Sequence, residues 1–155
     1  MRRRLGRELA VQSLYQIRMN GVDAREAVRT VIEETEQENE AKLRQDHEEI
    51  DPGYVLELVE GTERHLDKID DCLVGFLTGW RLERLSRVDR EILRMAVYEM
   101  VFRDDVPPKA VVNEAIEMAK QFGTEESGKF VNGVLGNMLK QLDEIRMGYN
   151  RPVAE

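Results

Sequence analysis

Ser86-Arg87-Val88-Asp89-Arg90-Glu91-Ile92-Leu93-Arg94-Met95-Ala96-Val97-Tyr98-Glu99-Met100-Val101 is the stretch that decides the fold class of this chain. Val88, Ile92, Leu93, Ala96, Val97, Met100 and Val101 recur at the three- and four-residue spacing of a helix face. Ser86 followed by Asp89 has the form of a capping box with Asp in place of Glu. The pattern predicts a strongly apolar helix over 87–103, closed by the turn Asp104-Asp105-Val106-Pro107-Pro108.

Working outward, the same period continues on both sides. Val111, Val112, Ala115, Ile116, Ala119 and Phe122 predict a helix that Gly123 stops. Thr124 is placed to N-cap a last long helix, with Glu125 and Glu126 in the first turn where the macrodipole favours them. Phe130, Val131, Val134, Leu135, Met138, Leu139 and Leu142 supply its apolar face. Towards the N-terminus, Leu5, Leu9, Val11, Leu14, Tyr15 and Ile17 predict a helix over 3–20 that ends at Asn20-Gly21. Asp23 N-caps a second, carrying Ala24, Ala27, Val28, Val31 and Ile32. Residues 33–51 hold nine acidic side chains against Lys42 and Arg44, and read as the end of that helix plus a solvated linker. Asp51-Pro52 starts a third, long helix whose stripe runs from Val55 to Leu73, before Gly75–Trp80 breaks it. No repeat and no period of two is present. The fold class is all-α: one domain over 1–147, a compact bundle of about six to seven helices. It is expected in two small lobes, about 3–73 and about 84–142, with a disordered tail over 148–155.

Composition limits the chemistry. Hydrophobic residues make up 41% of the 155, enough for a core, and 35% are charged against about 25% in an average domain. No apolar run approaches the ~20 residues that span a bilayer. The leading arginines enter an amphipathic segment, so neither a signal peptide nor a membrane span is expected and the reading is cytoplasmic. Cys72 is the single cysteine, which excludes an internal disulfide, and its helical pattern makes it a small core residue. His65 and Cys72 could share a helix face, but two ligands do not make a four-ligand zinc site. His47 falls in the acidic linker and reads as solvated. Gly133 and Gly136 fit neither nucleotide-binding fingerprint. Two histidines leave few options for a catalytic triad. The expectation is a binding protein with no catalytic residue, metal or cofactor.

The binding constellation lies at the two ends. Residues 1–20 carry a net +4, so the other 135 carry −12 against a total of −8. A basic end on an acidic body can still grip phosphate, because screening confines the interaction to about 10 Å. Arg7, Gln12 and Tyr15 join the leading arginines on the first helix, the mixture that holds single-stranded RNA. Equally, Tyr15 could pack in the core and the arginines could be solvated. On the last helix, Lys129 stands three residues from Glu126 and beside Phe130. Asn132 between Val131 and Val134 reads as a helix-contact amide, and Gly133 as a close helix approach.

Arg7-Glu8, Ala10-Val11-Gln12, Leu14-Tyr15, Leu93 to Glu99, Asp105-Val106-Pro107, Asn113 to Lys120, Phe122-Gly123 and Lys129 to Leu135 together resemble the NusB antitermination proteins. The resemblance runs in order from Arg2 to Leu139, and the acidic segment 33–51 matches nothing in it. It implies an all-helical protein that pairs with NusE, a ribosomal small-subunit protein. The pair would bind single-stranded boxA RNA and nucleate an antitermination complex on RNA polymerase during ribosomal RNA synthesis. Carried onto this chain, the implied RNA surface is Arg3, Arg4, Arg7, Gln12 and Tyr15, with Glu126, Lys129 and Phe130. Some relatives form homodimers that hide this surface. Two other readings compete: a protein-binding scaffold that never touches RNA, and the RNA-binding domain of an RNA methyltransferase. The methyltransferase reading is disfavoured because Cys72 stands alone and 155 residues leave no room for a methyl-donor domain.

Overall fold

A computed structural model describes residues 2–42 and 49–150. The described residues form eight α-helices and a short 3-10 turn at Leu82–Arg84. The helices are α1 (Arg2–Asn20), α2 (Ala24–Lys42), α3 (Pro52–Arg64), α4 (Leu66–Val74), α5 (Arg87–Phe102), α6 (Pro108–Phe122), α7 (Glu125–Lys140) and α8 (Leu142–Asn150). The all-α class stands, and the helix count exceeds the expected six to seven for a local reason. Two apolar stripes that read as single helices are each interrupted. His65 (φ −105°, ψ 17°) and Gln141 (φ −114°, ψ 16°) sit in the bridge region of backbone space, so the stripe continues while the helix does not. Gly148, where the sequence reading began a tail, lies within α8, and residues 151–155 are outside the described set.

The chain divides into two compact units between Arg64 and His65, earlier than the expected boundary at Leu73. In the first unit α1, α2 and α3 pack on one another. Leu9, Leu14, Val31, Val55 and Leu58 are buried in it, each worth about 1.5–3 kcal/mol relative to exposure. Asp23 Oδ1 accepts from the Glu26 N–H at 2.8 Å, and Asp51 Oδ1 accepts from the Tyr54 N–H at 3.2 Å. Both are the predicted N-caps. Gly21 ends α1 at φ +68°, a conformation that favours glycine. Gly6 permits a tight approach of α1 to α3: a Cβ there would lie 2.7 Å from Tyr54 Cδ2.

In the second unit α5 is the central element, packing against α4, α6, α7 and α8. Its residues from Glu91 to Val101 are all buried, as befits a helix enclosed by neighbours. Two of the charges among them, Glu91 and Arg94, are paired. Arg94 donates to Asp70 through Nε (2.9 Å) and a terminal nitrogen (2.8 Å), and to Glu91 at 2.9 Å. Burial works against the charged guanidinium, but the Asp70 hydrogen bond and the Glu91 and Asp70 charges outweigh it and hold the Arg94 pKa above its ordinary value. His65 stacks on Phe102 with ring centres 4.2 Å apart. No described helix is long and apolar enough to cross a membrane.

Candidate nucleic-acid interface

Two sets of candidate residues are present, one in each unit. In α1, Arg4 and Gln12 are exposed and Tyr15 is half-buried. Arg3 falls within the helix, and its side chain is outside the described residues. Arg7 departs from the expectation of a surface cation. It is only 2% exposed and shares the helix face of Ala10, Val11 and Leu14, all buried. The reason is local, since the neighbouring Gly6 seats this turn of α1 closely against Tyr54. Arg18, counted in the basic end, is engaged too: it forks onto the Glu63 carboxylate, with one contact at 3.1 Å. The +4 of the first twenty residues therefore overstates the charge that α1 offers a phosphate.

The second set is built on α7. The Thr124 side chain caps the helix by accepting from the Ser127 N–H at 3.2 Å. One turn on, Glu126 and Lys129 have side chains 84% and 75% exposed, with Nζ 3.6 Å from the carboxylate. An exposed pair of this kind contributes little to stability. Phe130 is half-buried and meets Trp80 edge-on, with ring centres 5.6 Å apart at 63°. Trp80 is itself 58% exposed. It follows Gly79, whose φ of +75° turns the chain in the segment between α4 and the 3-10 turn. Trp80, Arg84, Ser86, Asp89, Lys129 and Phe130 line an open cavity of about 520 Å³, the size of a small-ligand site.

Trp80, Arg84 and Asp89 were missed at the level of sequence. The segment 75–80 read only as a helix break and Asp89 only as a cap residue. The one signal was a lone tryptophan in a turn. Two expectations for α7 are corrected. Asn132 is exposed and makes no buried helix contact. Gly133 has nothing within 4 Å of where a Cβ would be, whereas Gly128 does: a Cβ there would lie 2.7 Å from Lys120 Cγ. The glycine that lets α6 and α7 approach is thus Gly128.

Among the described residues no group of three His, Cys, Asp or Glu side chains is placed to hold a metal ion. His47 lies outside the described set. His65 serves the aromatic stack on Phe102, and Cys72 is buried with its thiol pushed up to about 11 by desolvation. The arrangement offers cations, aromatic faces and amides.

A model of the NusB family matches residues 4–140. The chain belongs to the NusB family. It is 43% identical to the transcription antitermination protein NusB of Exiguobacterium over 141 residues, covering 91% of this chain and 99% of that one. Against the NusB of Bacillus pumilus it is 42% identical, covering 93% and 99%. Among solved structures, NusB of T. maritima superposes with a TM-score of 0.75 at 34% identity, covering 90% of this chain and 91% of that one. A crystal structure of the antitermination factors NusB and NusE in complex with dsRNA matches with a TM-score of 0.75 at 29% identity, covering 90% and 96%. Every candidate residue except Arg3 falls inside the span matched by the NusB family model.

Proposed function

We propose that this chain is a cytoplasmic transcription antitermination factor with no catalytic step. It binds boxA-type single-stranded RNA together with a NusE-type ribosomal small-subunit protein and supports transcription of ribosomal RNA as part of an assembly on RNA polymerase. The observation that carries this reading is the exposed Lys129 beside the Phe130–Trp80 aromatic pair at an open cavity. A cation for phosphate next to aromatic faces for bases is how single strands are held. The NusB–NusE complex with dsRNA, to which this fold is similar, supports RNA and NusE as ligands.

Arg3, Arg4, Gln12 and Tyr15 on α1 and Glu126, Lys129 and Phe130 on α7 are proposed as RNA contacts. Arg4 and Lys129 neutralise phosphate, Tyr15 and Phe130 stack bases, and Gln12 meets a base edge. Arg7 is assigned instead to positioning the start of α1, because its side chain is buried. The test is binding of a labelled boxA-type RNA, with and without the NusE-type protein, at two salt concentrations. Salt-sensitive binding that the partner strengthens is the expected result. Absence of RNA binding in every combination would favour a protein-only scaffold, and sedimentation would then decide whether a homodimer covers the surface.

A further inference from the structure

The cavity beside Phe130 contains a group that phosphate binding does not use. Asp89 is 9% exposed, and its Oδ1 is buried with no hydrogen-bond partner among the described residues. A cap role explains its position in the first turn of α5 but not its burial. The Ser86 hydroxyl accepts from the Asp89 N–H at 3.1 Å, yet the Asp89 carboxylate returns no bond, so the capping box is half made. Buried polar atoms are nearly always satisfied, so an unsatisfied oxygen on a residue that lines an open cavity points to a donor supplied from outside.

The other walls describe that donor's carrier. Trp80 and Phe130 present ring faces and edges, and Arg84 and Lys129 bring positive charge to the same cavity. Glu126 and Asp89 balance their charge at the cavity, so the aromatic walls select a flat ring while Arg84 and Lys129 remain available to an adjoining phosphodiester. A flat donor-bearing ring on an anionic backbone fits both conditions. An ionised carboxylate is acceptor-only. Among the four bases, guanine alone sets two adjacent donors, N1–H and N2–H, on its Watson–Crick edge. Uracil offers one N–H flanked by two carbonyls that a carboxylate repels. Adenine and cytosine offer a single amino group beside a ring acceptor.

We propose that this cavity is a base-reading subsite for an unpaired guanine: Asp89 accepts from N1–H and N2–H, and Trp80 and Phe130 hold the ring. The subsite rests on the RNA-binding reading above and adds a sequence preference to it.

Trp80 is the only tryptophan in the chain, so its emission reports on the cavity directly. The probe is a short oligouridine carrying one guanosine, compared with the same strand bearing inosine, adenosine or uridine at that position. Binding is read by tryptophan quenching for the chain alone and by RNA anisotropy with the NusE-type partner present. The guanosine strand is expected to bind about 10- to 100-fold more tightly than the uridine strand, with inosine in between for want of its N2 amino group. Asp89→Asn is expected to erase that ranking while Lys129→Ala weakens all four strands alike. Should the Asp89→Asn chain fail to fold, the inosine comparison on the unaltered protein decides. Equal binding of all four strands, still weakened by Lys129→Ala, overturns the subsite and leaves the RNA reading intact. No binding of any strand overturns both. Loss of NusE-type partner affinity in Asp89→Asn without RNA present, with the base ranking kept, assigns the carboxylate to a protein contact and overturns the proposal.

Discussion

Lys129 and Phe130 are adjacent in sequence but differ in what they lose on truncation. Lys129 is exposed and its ion pair with Glu126 is weak, so Lys129→Ala leaves the melting temperature nearly unchanged. Its cost falls on RNA affinity, equally for all sequences, as befits a phosphate contact. Phe130→Ala removes a stacking face and is expected to cost about 1–3 kcal/mol of RNA binding. It also strips the edge contact from Trp80, so a shift in tryptophan emission of the free protein accompanies it. Unaltered affinity in both variants would remove α7 from the RNA surface. Cys72 shows the opposite behaviour, a residue whose chemistry is suppressed. Burial raises its thiol from 9.0 to about 11, which lowers the thiolate fraction at pH 8 by about 100-fold. Alkylation by iodoacetamide is expected to be slow at pH 8 and to accelerate once the chain is denatured. Because the folded pKa is raised, the unfolded chain releases this proton first. The thiol's contribution to stability is therefore constant below pH 9 and declines between 9 and 11. Rapid alkylation of the folded protein at pH 8 would contradict the burial.

Helices α5 and α7 show how far periodicity carries and where it stops. The stripe of α5 and its Ser86 cap were legible because local spacing reports both. The Arg94–Asp70 pair was not, since it joins α5 to α4 across 24 residues of sequence and no period records it. Nor did composition mark the breaks at His65 and Gln141, where neither Gly nor Pro interrupts the stripe. Arg94→Met tests the pair. It leaves Glu91 buried without its principal cation, and breaking such a buried pair costs about 3–5 kcal/mol. Thermal melting should show a large loss, and a loss below about 1 kcal/mol would mean that Glu91 and Asp70 are already satisfied elsewhere. On α7 two of the three glycines, Gly133 and Gly128, predict opposite signs. Gly133→Ala meets open space in a helix interior, so it should stabilise by up to about 1 kcal/mol. Gly128→Ala drives a methyl into the Lys120 side chain and should gain less or lose stability. If Gly133→Ala instead weakens RNA binding while raising the melting temperature, the ligand itself requires the bare backbone.

For the whole molecule the governing quantity is charge against charge pattern. A net −8 opposes association with a polyanion, and only local cations offset it. Sequence alone located those cations by counting, which is why it credited α1 with Arg7 and Arg18. The fold withdraws both, one by burial and one by the Glu63 pair, and adds Arg84, which stands 45 residues from Lys129 in the chain and meets it at one cavity. Burial and ion pairing are tertiary facts, so a charge census cannot see them. The correction has a measurable consequence. Of the cations assigned to RNA, Arg4 on α1 and Arg84 and Lys129 at the cavity are described and not buried, so roughly three phosphates are neutralised. On a single strand each contributes about −0.7 to the slope of log affinity against log salt. The chain without its partner should therefore show a slope near about −2, and Lys129→Ala should reduce it by about one phosphate's worth. Arg7→Lys should leave the slope unchanged and lower the melting temperature instead, because the buried guanidinium acts on the fold. A slope that drops in Arg7→Lys, with stability untouched, would return Arg7 to the RNA surface and require α1 to open when RNA binds.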